Sequence, residues 1–81
     1  MQVMLEGVIM ETGSKKDRNE NDINYVRLFQ YGERKLLEVK KTPADLKEGT
    51  KVQFKVKLYP YASNGFADIS AHCLEVVANG K

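Results

Sequence analysis

The residues TKVQFKVKLY, from Thr50 to Tyr59, give the clearest structural signal in the chain. Apolar Val52, Phe54, Val56 and Leu58 alternate strictly with lysine, glutamine and tyrosine. Successive side chains of a β-strand point to opposite faces, so the four apolar side chains share one face. The pattern therefore predicts a strand with one buried face and one solvated face.

A helix-start signal precedes this strand in the segment Thr42–Leu46 (TPADL). Thr42 suits the cap position and Pro43 the first helical position, and Asp45 lies in the first turn, where the helix dipole favours an acid. Because Gly49 then ends the segment, we expect a helix of only about one or two turns.

Two further alternating stretches lie upstream, Ile23–Tyr31 (INYVRLFQY) and Arg34–Lys41 (RKLLEVKK). The Gly-Glu pair between them suits a tight turn, so the two stretches predict a hairpin. Val26 and Leu28 alternate with larger or charged side chains on the first of these strands. We expect both to face the core.

The ends of the chain supply the remaining strands. Val3–Glu11 is apolar on both faces, with Gly7 at a central position where a strand would bend. Phe66–Val77 follows an Asn-Gly turn and predicts the last strand. Residues 12–22 are polar throughout and predict a mobile loop, and residues 79–81 predict a frayed tail.

The predicted order is three strands, one short helix and two strands. Five short strands with one small helix suit a closed barrel, because closure removes exposed sheet edges. This order, the glycine inside the first strand and the segment DLKEGTKVQFKV (Asp45–Val56) resemble the OB-fold over nearly the whole chain. The resemblance implies an all-β, five-stranded OB-fold-like closed barrel, with a short helix between strands 3 and 4, in a single domain spanning residues 1–81. An SH3-like barrel is the competing fold, but its helical turn would precede only the last strand.

Composition limits the class of protein. With 81 residues, 42% hydrophobic and 30% charged, the chain matches one soluble domain. No apolar run approaches the roughly 20 residues that span a bilayer, and the first ten residues do not resemble a signal peptide. The single cysteine, Cys73, has no partner for an internal disulfide, so we expect a cytoplasmic location.

Charge and aromatic residues are distributed unevenly. The net charge is only +2, but residues 23–61 contain nine Lys or Arg and four acids, and six of the seven aromatic residues. Basic charge and rings therefore share the middle of the chain, which favours an anionic partner with flat groups.

Tyr25, Arg27, Phe29 and Tyr31 form the strongest candidate constellation, because alternate residues of one strand share a face. An outward row of three rings and a guanidinium favours base stacking and phosphate pairing. In the OB-fold the outer face of strands 2 and 3 binds oligonucleotides. The alternative is that the faces are swapped, with the rings in the core or in a subunit interface.

Other candidates for nucleic-acid binding lie near the predicted loops and on neighbouring strands. They are Tyr59 and Tyr61, the loop residues Lys15, Lys16 and Arg18, the hairpin residues Arg34 and Lys35, and the strand lysines Lys55 and Lys57. Each ring offers a stacking surface and each cation a phosphate contact.

The sequence offers no signature of catalysis. His72 and Cys73 are adjacent, so in a strand they point to opposite faces and form neither a catalytic pair nor a metal site. There is no glycine-rich phosphate loop. We expect a protein that is not an enzyme and needs no cofactor or metal.

The leading hypothesis is single-stranded DNA binding with little sequence preference. Size, layout and the polar first loop resemble the small OB-fold single-stranded-DNA-binding proteins of phages and plasmids, and the resemblance implies a role in DNA replication and a homodimer. RNA binding by the same surface stays open, because stacking does not read the sugar. The alternative of another class is a protein-interaction or assembly module that uses the aromatic face as a subunit interface. A weaker possibility is a subunit of a translation or replication complex.

Overall fold

A computed structural model describes residues 2–79 as five β-strands. The strands are β1 (Gln2–Lys16), β2 (Asp22–Phe29), β3 (Leu37–Lys40), β4 (Lys51–Ser63) and β5 (Phe66–Asn79). The expected all-β class is confirmed. No helix in the described part of the chain has the length and hydropathy needed to cross a membrane.

The five strands form one sheet in the order β1-β2-β3-β5-β4, which closes because β4 also pairs with β1. The β3–β5 pair is parallel, and the other four pairs are antiparallel. The strand β1 joins the two sides by using its first half against β4 and its second half against β2.

Two local features allow β1 to change partners midway. Gly7 is buried, and a Cβ atom there would lie 2.6 Å from the carbonyl oxygen of Phe29. A register shift between Ile9 and Glu11 then inserts one extra residue into the pairing with β2. A bulge of this kind bends a strand and increases its twist, so β1 can pass around the corner of the sheet.

The core consists of the inward-facing side chains of the five strands. It contains Ile9, Val26, Leu28, Val39, Leu46, Val52, Phe54, Val56 and Ala71. The alternation predicted for the fourth strand is confirmed by the buried side chains of Val52, Phe54 and Val56. Val26 and Leu28 are 1% and 0% exposed, so the swapped arrangement of the second strand is wrong.

The short helix expected between the third and fourth strands is absent, since residues 41–50 form turns. The backbone there bonds to neighbouring strands instead: the N–H of Thr42 donates to Asn24 O at 3.1 Å, and that of Gly49 to Ile9 O at 2.7 Å. Leu46, only 7% exposed, fills the core from this segment. A short helix forms few internal hydrogen bonds for the order it requires, so these tertiary contacts outweigh the local signal.

Several predicted boundaries differ from the structure, among them the end of the fourth strand, which lies at Ser63 rather than Tyr59. The second and third strands are shorter than expected, and residues 30–36 between them form a loop that contains a turn closed by the N–H of Glu33 and Gln30 O at 3.0 Å. β1 continues to Lys16, so the first loop spans 17–21 rather than 12–22. Of the predicted tail, Asn79 belongs to β5 and pairs with Val52 of β4, and residues 80–81 lie outside the described residues.

Candidate functional site

The pairing of β1 with β4 runs from Gln2 opposite Lys57 to Val8 opposite Lys51, and beyond it β1 continues into a ribbon with β2 and β4 into a ribbon with β5. We call residues 12–16 with 22–26 the β1–β2 ribbon, and residues 58–63 with 66–70 the β4–β5 ribbon. Between them lies an open groove of about 770 Å³. The closed sheet thus separates two walls and leaves a cleft for an extended ligand.

The groove is strongly basic. Its lining includes five cations and a single carboxylate, namely Lys15, Lys16, Arg18, Lys40, Lys41 and Asp17. The whole chain has a net charge of only +2, so much of its excess positive charge is concentrated here. A cleft lined by one sign of charge raises the local concentration of oppositely charged ligands.

Asp17 provides the one carboxylate that lines the groove, and it is hydrogen-bonded to the backbone of the β1–β2 loop. An oxygen of the Asp17 carboxylate accepts hydrogen bonds from the N–H groups of Asn19 at 2.8 Å and Asn21 at 2.9 Å. The bond from Asn21 is the main cause that lowers the pKa of Asp17. This loop geometry satisfies the carboxylate and leaves Arg18 exposed beside it.

Three of the groove cations have no ion-pair partner within residues 2–79: Arg18, Lys40 and Lys41. Lys16 pairs with exposed Asp22 at 3.1 Å, and Lys15 pairs with Glu38 at 2.7 Å. The Lys16–Asp22 pair is well exposed and therefore worth little, so a multivalent anion can replace Asp22 there.

The β4–β5 side of the groove carries aromatic rings. Tyr59 and Tyr61 line it, and the Tyr59 ring lies 4.6 Å from the His72 ring, tilted by 47°. The Nζ atom of Lys57 lies 5.2 Å from the centre of the Tyr59 ring. The groove therefore has rings on its β4–β5 side and cations on its β1–β2 side.

His72 is held neutral at the floor of the groove. Burial lowers its pKa, and the positive charges of Lys41 and Lys40 lower it further. Its Nε2 atom lies 3.1 Å from the hydroxyl oxygen of Ser70. At neutral pH the side chain is therefore an uncharged ring with one hydrogen-bonding edge.

The pairing register places these groups in one row across the sheet. Tyr25 pairs with Lys40, Lys40 with His72, and His72 with Lys57. Side chains paired across strands point to the same face, so the row alternates rings and cations along the outside of the sheet.

Residues of neighbouring strands contact two members of the row predicted on the second strand, Arg27 and Tyr25. Arg27 points outward as expected, but its Nη1 atom lies 3.2 Å from the carboxylate of Glu11 and its Nη2 atom 3.5 Å from that of Glu38. The charge of Glu11 is the main cause that raises the pKa of Arg27. Tyr25 is half-buried, and a Cβ atom at Gly13 would lie 2.6 Å from its hydroxyl oxygen.

Several predicted residues lie outside the groove. Phe29, 42% exposed, ends β2 opposite Val8. Tyr31, Arg34 and Lys35 belong to the loop 30–36, at the end of β2 away from the β1–β2 loop. Because β2 stops at Phe29, Tyr31 is not part of its aromatic face and is 99% exposed. Lys55 is exposed on β4 and does not line the groove.

Sequence reasoning placed Lys15, Lys16, Arg18, Tyr59 and Tyr61 among the candidates, and the structure gathers all of them around one groove. It did not single out Ile23, Ser70 and His72, which form the floor of the groove together with Lys40 and Lys41. The floor depends on the parallel pairing of β3 with β5, and no local sequence pattern predicts this pairing.

Comparison with known proteins gave no relatives: no family model, curated protein or solved structure matches this chain. The groove chemistry must therefore be judged from its own residues. Within residues 2–79, no three His, Cys, Asp or Glu side chains are grouped so that they could hold a metal ion.

Proposed function

We propose that the protein binds single-stranded nucleic acid, in particular single-stranded DNA, in the groove between the two ribbons and with little sequence preference. The observation that carries the proposal is the pairing of a wall of cations with a wall of rings across one open cleft. Phosphates lie along the basic wall, and bases stack on Tyr59, Tyr61 and neutral His72. The function is binding without catalysis.

The energetics of such a site are favourable for an extended strand. Stacking of a base on an aromatic side chain contributes ~1–3 kcal/mol, and every base has a π-face, so the contact does not select sequence. Each phosphate neutralised by Lys or Arg releases counterions, which makes the affinity fall with salt. Both contributions come from different walls of the same groove, so they act together on a single strand but not on a paired duplex.

The position of the groove supports an OB-type barrel. In that fold, oligonucleotides bind across strands 2 and 3 and between the loops that follow strands 1 and 4. Here the closed five-strand order brings the β1–β2 loop and the β4–β5 ribbon to the two sides of the groove. We infer an OB-type domain in which turns replace the usual helix before β4.

A second candidate is the assembly module. Exposed apolar side chains occur outside the groove at Met10, Phe29, Tyr31 and Leu36. Exposed apolar surface favours association with a partner, and a homodimer would extend the binding surface. This candidate predicts an oligomer that dissociates after Phe29→Ala, whether or not DNA is present.

Titration of fluorescent oligo(dT) at two salt concentrations tests the proposed function. The double variant Lys40→Ala/Lys41→Ala should weaken binding and lower the slope of log affinity against log salt by about 0.7 for each phosphate that is no longer neutralised. Tyr59→Ala should weaken binding by ~1–3 kcal/mol with little change in slope. An oligo(rU) arm measures discrimination between DNA and RNA.

The matched controls are lysines and a tyrosine outside the groove. Lys51→Ala/Lys55→Ala removes the same charge from β4, and Tyr31→Ala removes an exposed ring from the loop 30–36. Both controls should bind nearly as wild type. Equal losses in the controls and the groove variants, or no salt-sensitive binding by the wild type, would overturn the proposal.

A further inference from the structure

A row of opposite charge lies next to the basic groove. Glu11 pairs with Arg27 and Arg27 with Glu38 across β1, β2 and β3. The neighbouring row, two residues along each strand, contains Gly13, Tyr25 and Lys40. Two residues of strand advance about 7 Å, so the sign of the surface charge changes over a distance close to one Debye length.

The acidic side chains hold Arg27, which could otherwise extend the groove, and Lys15, which already lines it. Glu11 contacts Arg27 through both carboxylate oxygens, each 3.2 Å from Nη1. Glu38 bridges Arg27 at 3.5 Å and Lys15 at 2.7 Å. Because Lys15 also lines the groove, Glu38 and a bound phosphate compete for the same ammonium group.

The competing carboxylate stays ionised at neutral pH. Burial raises the pKa of Glu38, but the hydrogen bond from Lys15 and the charges of Lys15, Lys40 and Arg27 outweigh burial and lower it overall. A phosphate that approaches this row therefore meets negative charge, although a guanidinium and the Tyr25 ring lie beside it.

We propose that Glu11 and Glu38 end the nucleic-acid path and so limit how much of a strand one molecule covers. This inference rests on the proposed function. The negative charge of Glu11 and Glu38 keeps phosphates away from the outer face of β2. The bound nucleic acid is therefore confined to the groove between the ribbons. Glu11 and Glu38 are thus positioning residues, which act by holding Arg27 and Lys15 and by repelling phosphates.

The double variant Glu11→Gln/Glu38→Gln tests this role. It should bind oligo(dT) more tightly at low salt, need a longer oligonucleotide for full affinity, and show a salt slope steeper by up to about 1.4, from two newly engaged cations. The charge-matched control Glu48→Gln/Glu75→Gln alters acids that do not line the groove and should change the slope little.

Arg27→Ala separates the mechanism from a general charge effect. In the wild-type background it should leave the salt slope unchanged, because Arg27 is held by its carboxylates. In the Glu11→Gln/Glu38→Gln background it should remove part of the added slope. Thermal unfolding of each variant verifies that the fold persists.

The outcomes distinguish the two claims. If the wild type binds but the acid variant matches the charge-matched control in affinity, slope and minimal length, the acidic boundary is wrong and the proposed function stands. If neither the wild type nor any variant binds in low salt, the proposed function fails, and the boundary fails with it.

Discussion

His72 illustrates how neighbours set the chemistry of one residue. Sequence alone indicated only that His72 and the adjacent Cys73 point to opposite faces and form neither a catalytic pair nor a metal site. The pairing of β3 with β5 instead brings His72 beside Lys40, and burial with the charges of Lys41 and Lys40 lowers its pKa. The ring beside Tyr59 is therefore neutral when the groove is empty and the pH is neutral.

Binding of DNA should depend on the protonation of His72. Bound phosphates offset the charges of Lys41 and Lys40, the two smaller causes of the lowered pKa after burial, so they raise the pKa of His72 above its value in the empty groove. Because the bound state then takes up a proton more readily, affinity should rise as the pH falls between the bound and free pKa values.

Oligo(dT) titrations between roughly pH 5 and 8, the range in which histidine side chains titrate, measure this dependence of affinity on pH. His72 is the only histidine in the chain, so His72→Gln should flatten the profile. Because the pKa of His72 is lower in the folded protein than in the unfolded chain, the unfolded chain binds the proton more readily. The free energy of unfolding should therefore decrease as the pH falls. Stability should therefore be measured in parallel, and an affinity that is constant over this range would refute the linkage.

The segment 41–50 forms turns, although its local sequence predicts a helix. Thr42 has the residue type of a helix cap, but it is only 6% exposed and its hydroxyl oxygen finds no hydrogen-bond partner among the described residues. Its N–H donates to the carbonyl oxygen of Asn24 in β2. The segment thus crosses between strands and contributes Leu46 to the core instead of forming a helix.

Thr42→Val distinguishes these two roles by the sign of its effect. Removal of a buried hydroxyl without a partner should stabilise the fold by ~1 kcal/mol, because its desolvation cost disappears. Loss of a helix cap would instead destabilise the fold by ~1 kcal/mol. Urea unfolding measures the change, with exposed Thr12→Val as the control. A clear destabilisation at Thr42 alone would contradict the buried, unpaired hydroxyl.

Across the whole molecule, the sequence predicted which face of a strand is buried better than it predicted which residues of different strands contact each other. Period-two alternation identified Val26, Leu28 and the apolar side of β4 as core, because only burial explains such regularity. It could not reveal that Glu11 and Glu38 flank Arg27, since both come from other strands. Tyr25, Arg27 and Phe29 therefore lie on the predicted face of β2, but Tyr31 lies beyond the strand and Arg27 is already paired.

The groove is a property of the closed sheet. Its cations come from the β1–β2 ribbon and its loop and from the end of β3, and its rings come from β4 and β5. The excess of basic and aromatic residues in the middle of the chain indicated the type of partner but not the location of the surface. Closure of β1 onto both β2 and β4 brings the two walls to face each other.

The most direct test of the groove is to follow backbone amide NMR signals of the full chain during titration with oligo(dT). We predict that the largest shifts occur at residues 15–18, 40–41, 59, 61 and 70–72, on both walls and the floor. Shifts confined to the loop 30–36 or to the outer face of β4 near Lys51 and Lys55, with the groove signals unchanged, would contradict the account.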